Sequence, residues 1–225
     1  MMRRIMAICF CSLLFALCFD SAAQKNPTAR DIYLDFGQTA NKPPRQRRGR
    51  PGSKVKMELL RDNQLTFVTT QQELLDDDRI VFRTAVNYKG YLIVTNIGTS
   101  GKVNLLYAGQ ISPTRDLRIP AKGWIRVTGK SGNEVVNFIM SSTPIPELQQ
   151  MGILTMSDSH TSPPSTDHQA RNSEAQKVLV QLNSNALKRE RILVVENDGN
   201  ETYALAASLE QMTTPIGFSI RLKHK

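Results

Sequence analysis

Apolar and polar residues alternate with a period of two over much of this chain, which is the pattern of half-buried β-strands. Val55–Leu59 alternates apolar with charged residues, and Gln64–Thr69 follows the turn-forming pair Asp62-Asn63. Tyr91–Ile97 is rich in β-branched and aromatic residues. Further strands are predicted at residues 79–86, 102–107, 116–119, 124–128, 135–141, 191–196, 201–208 and 216–222. Many short strands at close spacing favour an antiparallel sandwich or barrel, and we take an all-β sandwich as the fold.

A helical period appears in only one longer stretch, from Glu174 to about Lys188. Its predicted apolar stripe consists of Val178, Leu179, Leu182 and Leu187. Ser173 and Gln176 have the spacing of a capping box, which predicts the start of this helix. Residues 144–150 predict a single helical turn, and residues 157–173 are rich in Ser, Thr, Pro and Asp, which predicts a mobile loop.

The segment before the first strand has a different composition. Residues 24–54 contain few apolar residues and several prolines, which predicts a disordered or extended basic arm. Within it, Ile32–Phe36 is apolar enough to dock on the folded part. We therefore predict one domain over residues 55–225, preceded by this arm.

The first residues have the three parts of a cleavable secretory signal peptide. Arg3 and Arg4 precede an apolar run, and Ser21-Ala22-Ala23 supplies small residues before a cleavage site. The run spans roughly 15 residues, which is short of the roughly 20 that a spanning helix needs. We expect an exported protein, periplasmic or extracellular, with residues 1–23 removed; lipidation at Cys18 is the weaker alternative.

Export has consequences for the rest of the chain. All three cysteines lie in the predicted signal peptide, so the mature chain has no disulfide, thiolate metal site or cysteine nucleophile. The formal net charge is +9, and much of it is concentrated in one run without an acid. We predict polyanion binding by the basic residues of this run, which are Lys42, Arg45, Arg47, Arg48, Arg50, Lys54 and Lys56.

The run includes Arg47-Arg48-Gly49-Arg50-Pro51, which resembles the AT-hook that inserts arginines into a narrow A·T minor groove. Its chemistry would suit DNA, but an exported protein meets no chromosome. Three interpretations follow: a solvated linker, attraction to an anionic membrane surface, or DNA binding, of which we expect the last least.

Other candidate chemistry is sparse. Four aromatic residues on or beside predicted strands are candidates for a shared ligand platform: Tyr88, Tyr91, Tyr107 and Trp124. His160 and His168 lie in the predicted loop and His224 near the end of the chain, without the fixed spacing of metal ligands. Asp76-Asp77-Asp78 predicts a solvated turn, since adjacent carboxylates point in different directions. We predict no catalytic residue, no metal and no cofactor.

Several glycine-containing turns and apolar strands form a recognisable pattern. It runs through Asp77–Phe82, Asn87–Leu92, Gly98–Val103 and Leu105–Tyr107, and continues at Ile119-Pro120 and Gly132–Val135. Over roughly residues 54–144 the chain resembles the bacterial family called domain of unknown function 4384. One departure is Asp77-Asp78, where the family usually has Gly-Asp. The resemblance implies a β-rich accessory module of exported or envelope-associated proteins, and it implies no catalytic residue.

These observations predict a non-enzymatic, exported binding or accessory module of the bacterial envelope. Its expected partner is an envelope protein or glycan, contacted on a sheet face or edge, with an anionic membrane surface as an additional partner of the arm. Two alternatives are a hydrolase of envelope polymers that carries no recognisable motif, and binding of DNA or another polyanion through Arg47–Pro51.

Overall fold

The computed structural model describes residues 26–39, 42–43, 48–113, 116–128, 131–154 and 169–225. The protein is mostly β-structure, arranged in two sheets with a few helices. The helices are α1 (Ala29–Thr39), α2 (Pro146–Gln150) and α3 (Gln169–Leu187), with 3₁₀ turns at Glu190–Ile192 and Glu210–Thr213. The strands are β1 (Gly52–Arg61), β2 (Gln64–Val68), β3 (Glu73–Leu74), β4 (Arg79–Val86), β5 (Gly90–Ile97), β6 (Val103–Ile111), β7 (Leu117–Ile119), β8 (Ile125–Arg126), β9 (Gly132–Ser141), β10 (Val194–Asp198), β11 (Glu201–Leu205) and β12 (Ile216–His224).

The first sheet is built around β1. Its strands lie in the order β10-β11-β1-β4-β7, with β8 also paired to β4. On its other side, β1 pairs with β11 over Gly52–Lys56 and with β2 over Met57–Arg61. The β1–β2 hairpin turns at Asp62-Asn63, as the sequence predicts, and the β10–β11 hairpin turns at Gly199-Asn200. Asp62, Asn63 and Gly199 all adopt positive φ, as two-residue hairpin turns require.

The second sheet has the order β3-β12-β9-β5-β6. Its long strands pair antiparallel, as expected, but β3 pairs with β12 in parallel. The expectation of a wholly antiparallel fold is therefore wrong at this edge. β3 was not predicted, because a strand of 2 residues carries no periodic signal.

One hydrophobic core contains the inward side chains of both sheets. Val55, Met57 and Phe82 come from the first sheet and Phe138 and Phe218 from the second, all at most 1% exposed. The ring of Phe138 lies 5.5 Å from that of Phe82 and 5.2 Å from that of Phe218, measured between centroids. The inward side chains of the two sheets are therefore in direct contact.

The opposite face of the second sheet is covered by helices. Leu148 of α2 and Leu179 of α3 pack with Ile93 and Ile139 in a second apolar cluster. Beneath α3, the Asn183 Oδ1 accepts hydrogen bonds from Thr95 Oγ1 and Asn137 Nδ2, both at 2.8 Å. These bonds fix the position of α3 along the sheet, because any shift would leave buried polar groups unpaired.

The predicted long helix is present, but its predicted start is wrong. α3 begins at Gln169, so Ser173 and Gln176 lie inside it and form no capping box. Gln176 Nε2 instead donates to the Val103 carbonyl at 2.6 Å. Residues 169–173 of the predicted loop are thus helical, and the rest of that loop from residue 157 lies outside the described residues.

The expectation of a disordered or extended arm is wrong for Ala29–Thr39, which form α1. Ala29, Tyr33 and Phe36 are buried, and the Tyr33 ring meets that of Tyr203 in β11 edge-to-face at 5.6 Å. The arm has few apolar residues, but their 3–4-residue spacing places them on one face of a helix. The suggestion that Ile32–Phe36 docks on the fold is confirmed. The predicted signal peptide, residues 1–23, lies outside the described residues.

No helix in the described ranges has the length and apolarity needed to cross a membrane.

Candidate binding face

The face of the first sheet that points away from the second sheet, here called the outer face, carries alternating polar residues of β1. Val55, Met57 and Leu59 face the core, so Lys54, Lys56 and Glu58 between them face outward. α1 covers this face over β11, where Tyr203 and Leu205 pack against it. Over β1 and β4 this face is only partly exposed, since Val81 and Glu58 are buried, Arg83 is half-buried and Arg79 is exposed.

Strand register places basic residues of distant segments next to one another on the outer face. Lys56 lies opposite Arg83 of β4, and Arg83 lies opposite Arg118 of β7. In a parallel row, Arg79 lies opposite Arg126 of β8. Directly opposed residues of antiparallel strands lie about 4.5–5.5 Å apart. The outer face therefore presents closely spaced cations.

Two glutamates neutralise part of this charge. Glu58 is 5% exposed and accepts a hydrogen bond from Arg83 Nε at 2.8 Å. Glu201 lies 2.6 Å from Lys56 Nζ and 3.7 Å from Lys54 Nζ. Burial raises the pKa of Glu201, but hydrogen bonds from Lys56 and the Tyr203 hydroxyl outweigh burial, so its pKa is lowered. Glu201 is thus charged at neutral pH.

The basic side chains towards the β7–β8 edge differ in how they are paired. Arg118 lies with its guanidinium 5.0 Å from the centre of the Trp124 ring and donates to the Pro120 carbonyl at 2.8 Å. Arg126 pairs with Asp77 at 2.7 Å. Within the described part of the chain, neither Arg79 nor Arg118 is within salt-bridge distance of a carboxylate, so both are free to bind an anion.

The opposite end of the outer face is apolar. Leu65 and Phe67 of β2 are 57% and 52% exposed, and they lie opposite Leu60 and Glu58. The Lys56 ammonium lies 5.6 Å from the centre of the Phe67 ring. The outer face therefore combines cations with exposed aromatic and aliphatic surface, and this composition suits binding of an anionic or amphiphilic partner.

The predicted polyanion-binding run is not a single arm. Lys54 and Lys56 belong to β1, where Glu201 pairs with both. The assignment of Lys54 to the arm is therefore wrong, whereas Lys56 lies in the predicted strand. Lys42 and Arg48 are exposed, and Arg50 is half-buried. Arg45 and Arg47 lie outside the described residues.

The AT-hook-like motif is held against the fold. Gly49 has a φ of +77°, and a Cβ built there would lie 2.1 Å from the Ile32 carbonyl oxygen and 2.5 Å from the Phe36 nitrogen. Asn87 Nδ2 donates to the carbonyls of Arg50 and Tyr33, and its Oδ1 accepts from Gly52. Packing on α1 therefore accounts for this glycine. An AT-hook in a minor groove would have to give up these contacts.

The four aromatic residues predicted as a ligand platform are not brought together. Tyr88 is 2% exposed in the core between the sheets, and burial raises its pKa well above the usual value. Tyr107 packs against the same core, whereas Tyr91 packs on the helix-covered face of the second sheet. Trp124 alone lies on the outer face. The shared platform is therefore corrected to a single aromatic residue.

The three consecutive aspartates have three different partners. Asp76 bonds to His224 Nε2 at 3.0 Å, Asp77 pairs with Arg126, and Asp78 accepts both Arg61 Nε and Nη2, at 2.9 and 2.6 Å. Their side chains diverge, as expected, although Asp78 is buried rather than solvated. The described residues contain no cluster of potential metal ligands. His224 is buried in β12, while His160 and His168 lie outside the described residues.

Asp78 is expected to make stability depend on acid pH. Burial raises its pKa, but the hydrogen bonds from Arg61 and the Leu75 N–H outweigh burial, so the folded pKa is lowered. A carboxylate with a lowered folded pKa stabilises the protein above its unfolded pKa of about 3.9, and this contribution is lost as pH falls through the folded value. We expect the free energy of unfolding, measured in urea, to fall below about pH 4.

The variant Asp78→Asn tests this effect. Its matched control is Asp62→Asn, which removes an exposed carboxylate from the β1–β2 turn. Asp78→Asn should flatten the acid-side slope, and Asp62→Asn should preserve it. Hydrogen bonds from Lys223 and Lys225 lower the pKa of Glu73 to about 2. Glu73 is unchanged in both variants, so it contributes equally to their pH-dependent stability. Identical slopes in the two variants would contradict this role of Asp78.

Sequence reasoning missed Arg79, Arg83, Arg118 and Arg126. Their alternation with apolar neighbours indicated an outward direction in each strand, but only strand pairing shows that they share one face.

No protein-family model, curated protein or solved structure matches this chain.

Proposed function

We propose that the protein is an exported, non-enzymatic binding module of the bacterial envelope, and that its outer face binds an anionic partner. The observation that carries the proposal is the placement of Arg79 and Arg118, without carboxylate partners among the described residues, beside the row formed by Lys56 and Arg83. Cations gathered on one face attract an anionic surface more strongly than the same charges scattered over the molecule.

We further propose that the two sheets form a β-sandwich and that the domain belongs with the family called domain of unknown function 4384. The shared core of both sheets supports the first point. For the second, Asp77 has a φ of +68°, a left-handed conformation that favours glycine, at the position where the family usually has glycine. Export rests on the sequence of residues 1–23.

Binding to vesicles tests the proposed function. The purified exported chain should co-sediment with vesicles of phosphatidylglycerol and phosphatidylcholine, and less with phosphatidylcholine alone. The variant Arg79→Gln/Arg118→Gln should bind the anionic vesicles about tenfold or more weakly, since each basic residue near such a surface contributes about 1 kcal/mol. Raising the salt concentration should weaken binding of the wild type.

Lys177→Gln/Arg221→Gln is the matched control, because it removes the same charge from exposed positions on α3 and the second sheet. It should bind almost as the wild type does. Equal losses in both double variants would show that net charge, and not the outer face, determines binding. The alternative of an envelope-polymer hydrolase without a recognisable motif stays an untested prediction; His160 and His168, whose packing against an acid in a cleft would support it, lie outside the described residues.

A further inference from the structure

The strand β2 exposes an apolar edge. It pairs only with β1 among the described strands, and residues 64–67 are exposed. Leu65 and Phe67 point to the outer face at 57% and 52% exposure. Residues 63–72 contain no charged residue and no proline. Side chains of this kind on a free edge favour pairing with another strand.

The hairpin geometry shows which backbone groups are free. A two-residue turn makes Arg61 and Gln64 a hydrogen-bonded pair, and the alternation continues along β2. The N–H and C=O groups of Leu65 and Phe67 therefore point away from β1. Asn200 Nδ2 donates to the Phe67 carbonyl at 3.3 Å from an exposed position. The remaining groups of these two residues can accept a further strand.

The other sheet edges have features that discourage pairing. β10 carries Glu196 and Asp198, and β7 carries Arg118. β6 is uncharged, but its register against β5 shifts at Val94/Thr95, and Gln176 of α3 bonds to its Val103 carbonyl. Charges, irregular register and covering helices are recognised devices against strand addition. β2 has none of them.

We propose that two copies of this chain pair antiparallel through β2, about a twofold axis at Thr66. In this register Leu65 lies opposite Phe67 of the second copy, and Thr66 lies opposite its own equivalent. Apolar residues thus meet apolar residues on the outer face, and Gln64 meets Val68 on the other face. The N–H and C=O groups of Leu65 and Phe67 match those of the second copy, and the Phe67 carbonyl has a second lone pair besides the one that Asn200 uses.

The strand itself adds no charge repulsion between two copies. The chain has a net charge of +9, so most surfaces of two copies repel each other, whereas residues 63–72 are uncharged. Pairing through β2 would join two first sheets into one continuous sheet. This proposal does not depend on the proposed function.

Sedimentation equilibrium of the purified chain tests the pairing. The wild type should be a dimer, and Phe67→Lys should be a monomer, because a lysine at the edge opposes pairing while its exposed side chain leaves the fold intact. Val194→Lys places the same charge on β10, where the native side chain is 40% exposed, and should remain a dimer. A monomeric wild type, or equal behaviour of the two lysine variants, overturns the proposal.

A cysteine on the axis tests the register. Directly opposed residues that are not hydrogen-bonded have Cα atoms about 4.5 Å apart, within the range of a disulfide. Thr66→Cys should form a covalent dimer in air, whereas Val195→Cys on β10, and the wild type as a blank, should not. No excess of covalent dimer in Thr66→Cys overturns the proposed register. A monomeric wild type that binds an added extended peptide at β2 would assign the edge to that other occupant instead.

Discussion

Replacing Gly49 by alanine is expected to detach α1 and to destabilise the protein by about 3 kcal/mol or more, since Tyr33 and Phe36 would lose their burial. At Gly49 the φ of +77° is strained for any residue with a Cβ, and the new atom would overlap the backbone of α1 at Ile32 and Phe36. Backbone atoms of a docked helix cannot move aside as the end of a flexible side chain can. The free energy of unfolding in urea measures the loss.

Gly101→Ala separates the two causes of this loss. Gly101 has a φ of +76°, nearly that of Gly49, but nothing lies within 4 Å of a Cβ built there. Gly101→Ala should therefore lower the free energy of unfolding only by the cost of backbone strain, about 1 kcal/mol. If Gly49→Ala costs no more than Gly101→Ala, the segment around Gly49 is not packed on α1. In that case the AT-hook-like motif is free to bind other partners.

Truncating Phe138 to alanine is expected to destabilise the protein by about 3–5 kcal/mol, the range typical of buried phenylalanines. Phe138 is fully buried, and its ring touches both Phe82 of the first sheet and Phe218 beside it in the second. Removing the ring leaves a cavity between the sheets that their paired strands cannot readily close. Thermal and urea unfolding would both report the loss.

Leu34→Ala is the control for this truncation. Leu34 lies on α1 at 47% exposure, so its replacement should lower the free energy of unfolding only slightly. If Phe138→Ala were as mild as Leu34→Ala, Phe138 would not lie in a packed core and the sheets would not meet there. A large loss in Phe138→Ala alone supports the sandwich arrangement.

The strands could be predicted because their signal is local. Alternation at Val55–Leu59 and the Asp62-Asn63 turn specify a hairpin whatever surrounds it, and β1 and β2 form that hairpin. The helix α3 was also predicted, although with the wrong start. By contrast, α1 was missed because low apolar content suggested disorder, whereas three buried apolar residues on one face are enough to dock it.

The candidate site was only partly predictable. The basic run includes Lys54 and Lys56, which lie on the outer face, but the predicted arm includes Lys54, which belongs to β1. Arg83 and Arg118 are separated by 35 positions in the sequence, and only the pairing of β4 with β7 brings them together. Trp124 was selected as an aromatic residue, but its contact with Arg118 depends on the same pairing.

The sequence by itself determined most of the longer strands, where the β1–β2 hairpin turns and which of its strand side chains point away from the core, because these depend on residues that are close along the chain. Only the tertiary structure decided which basic residues share a face, how Gly49 fits against α1 and which edge remains open at β2. These features depend on strand register and on packing between segments that are distant in the chain. The contacts involved join residues that a local sequence pattern cannot relate to one another.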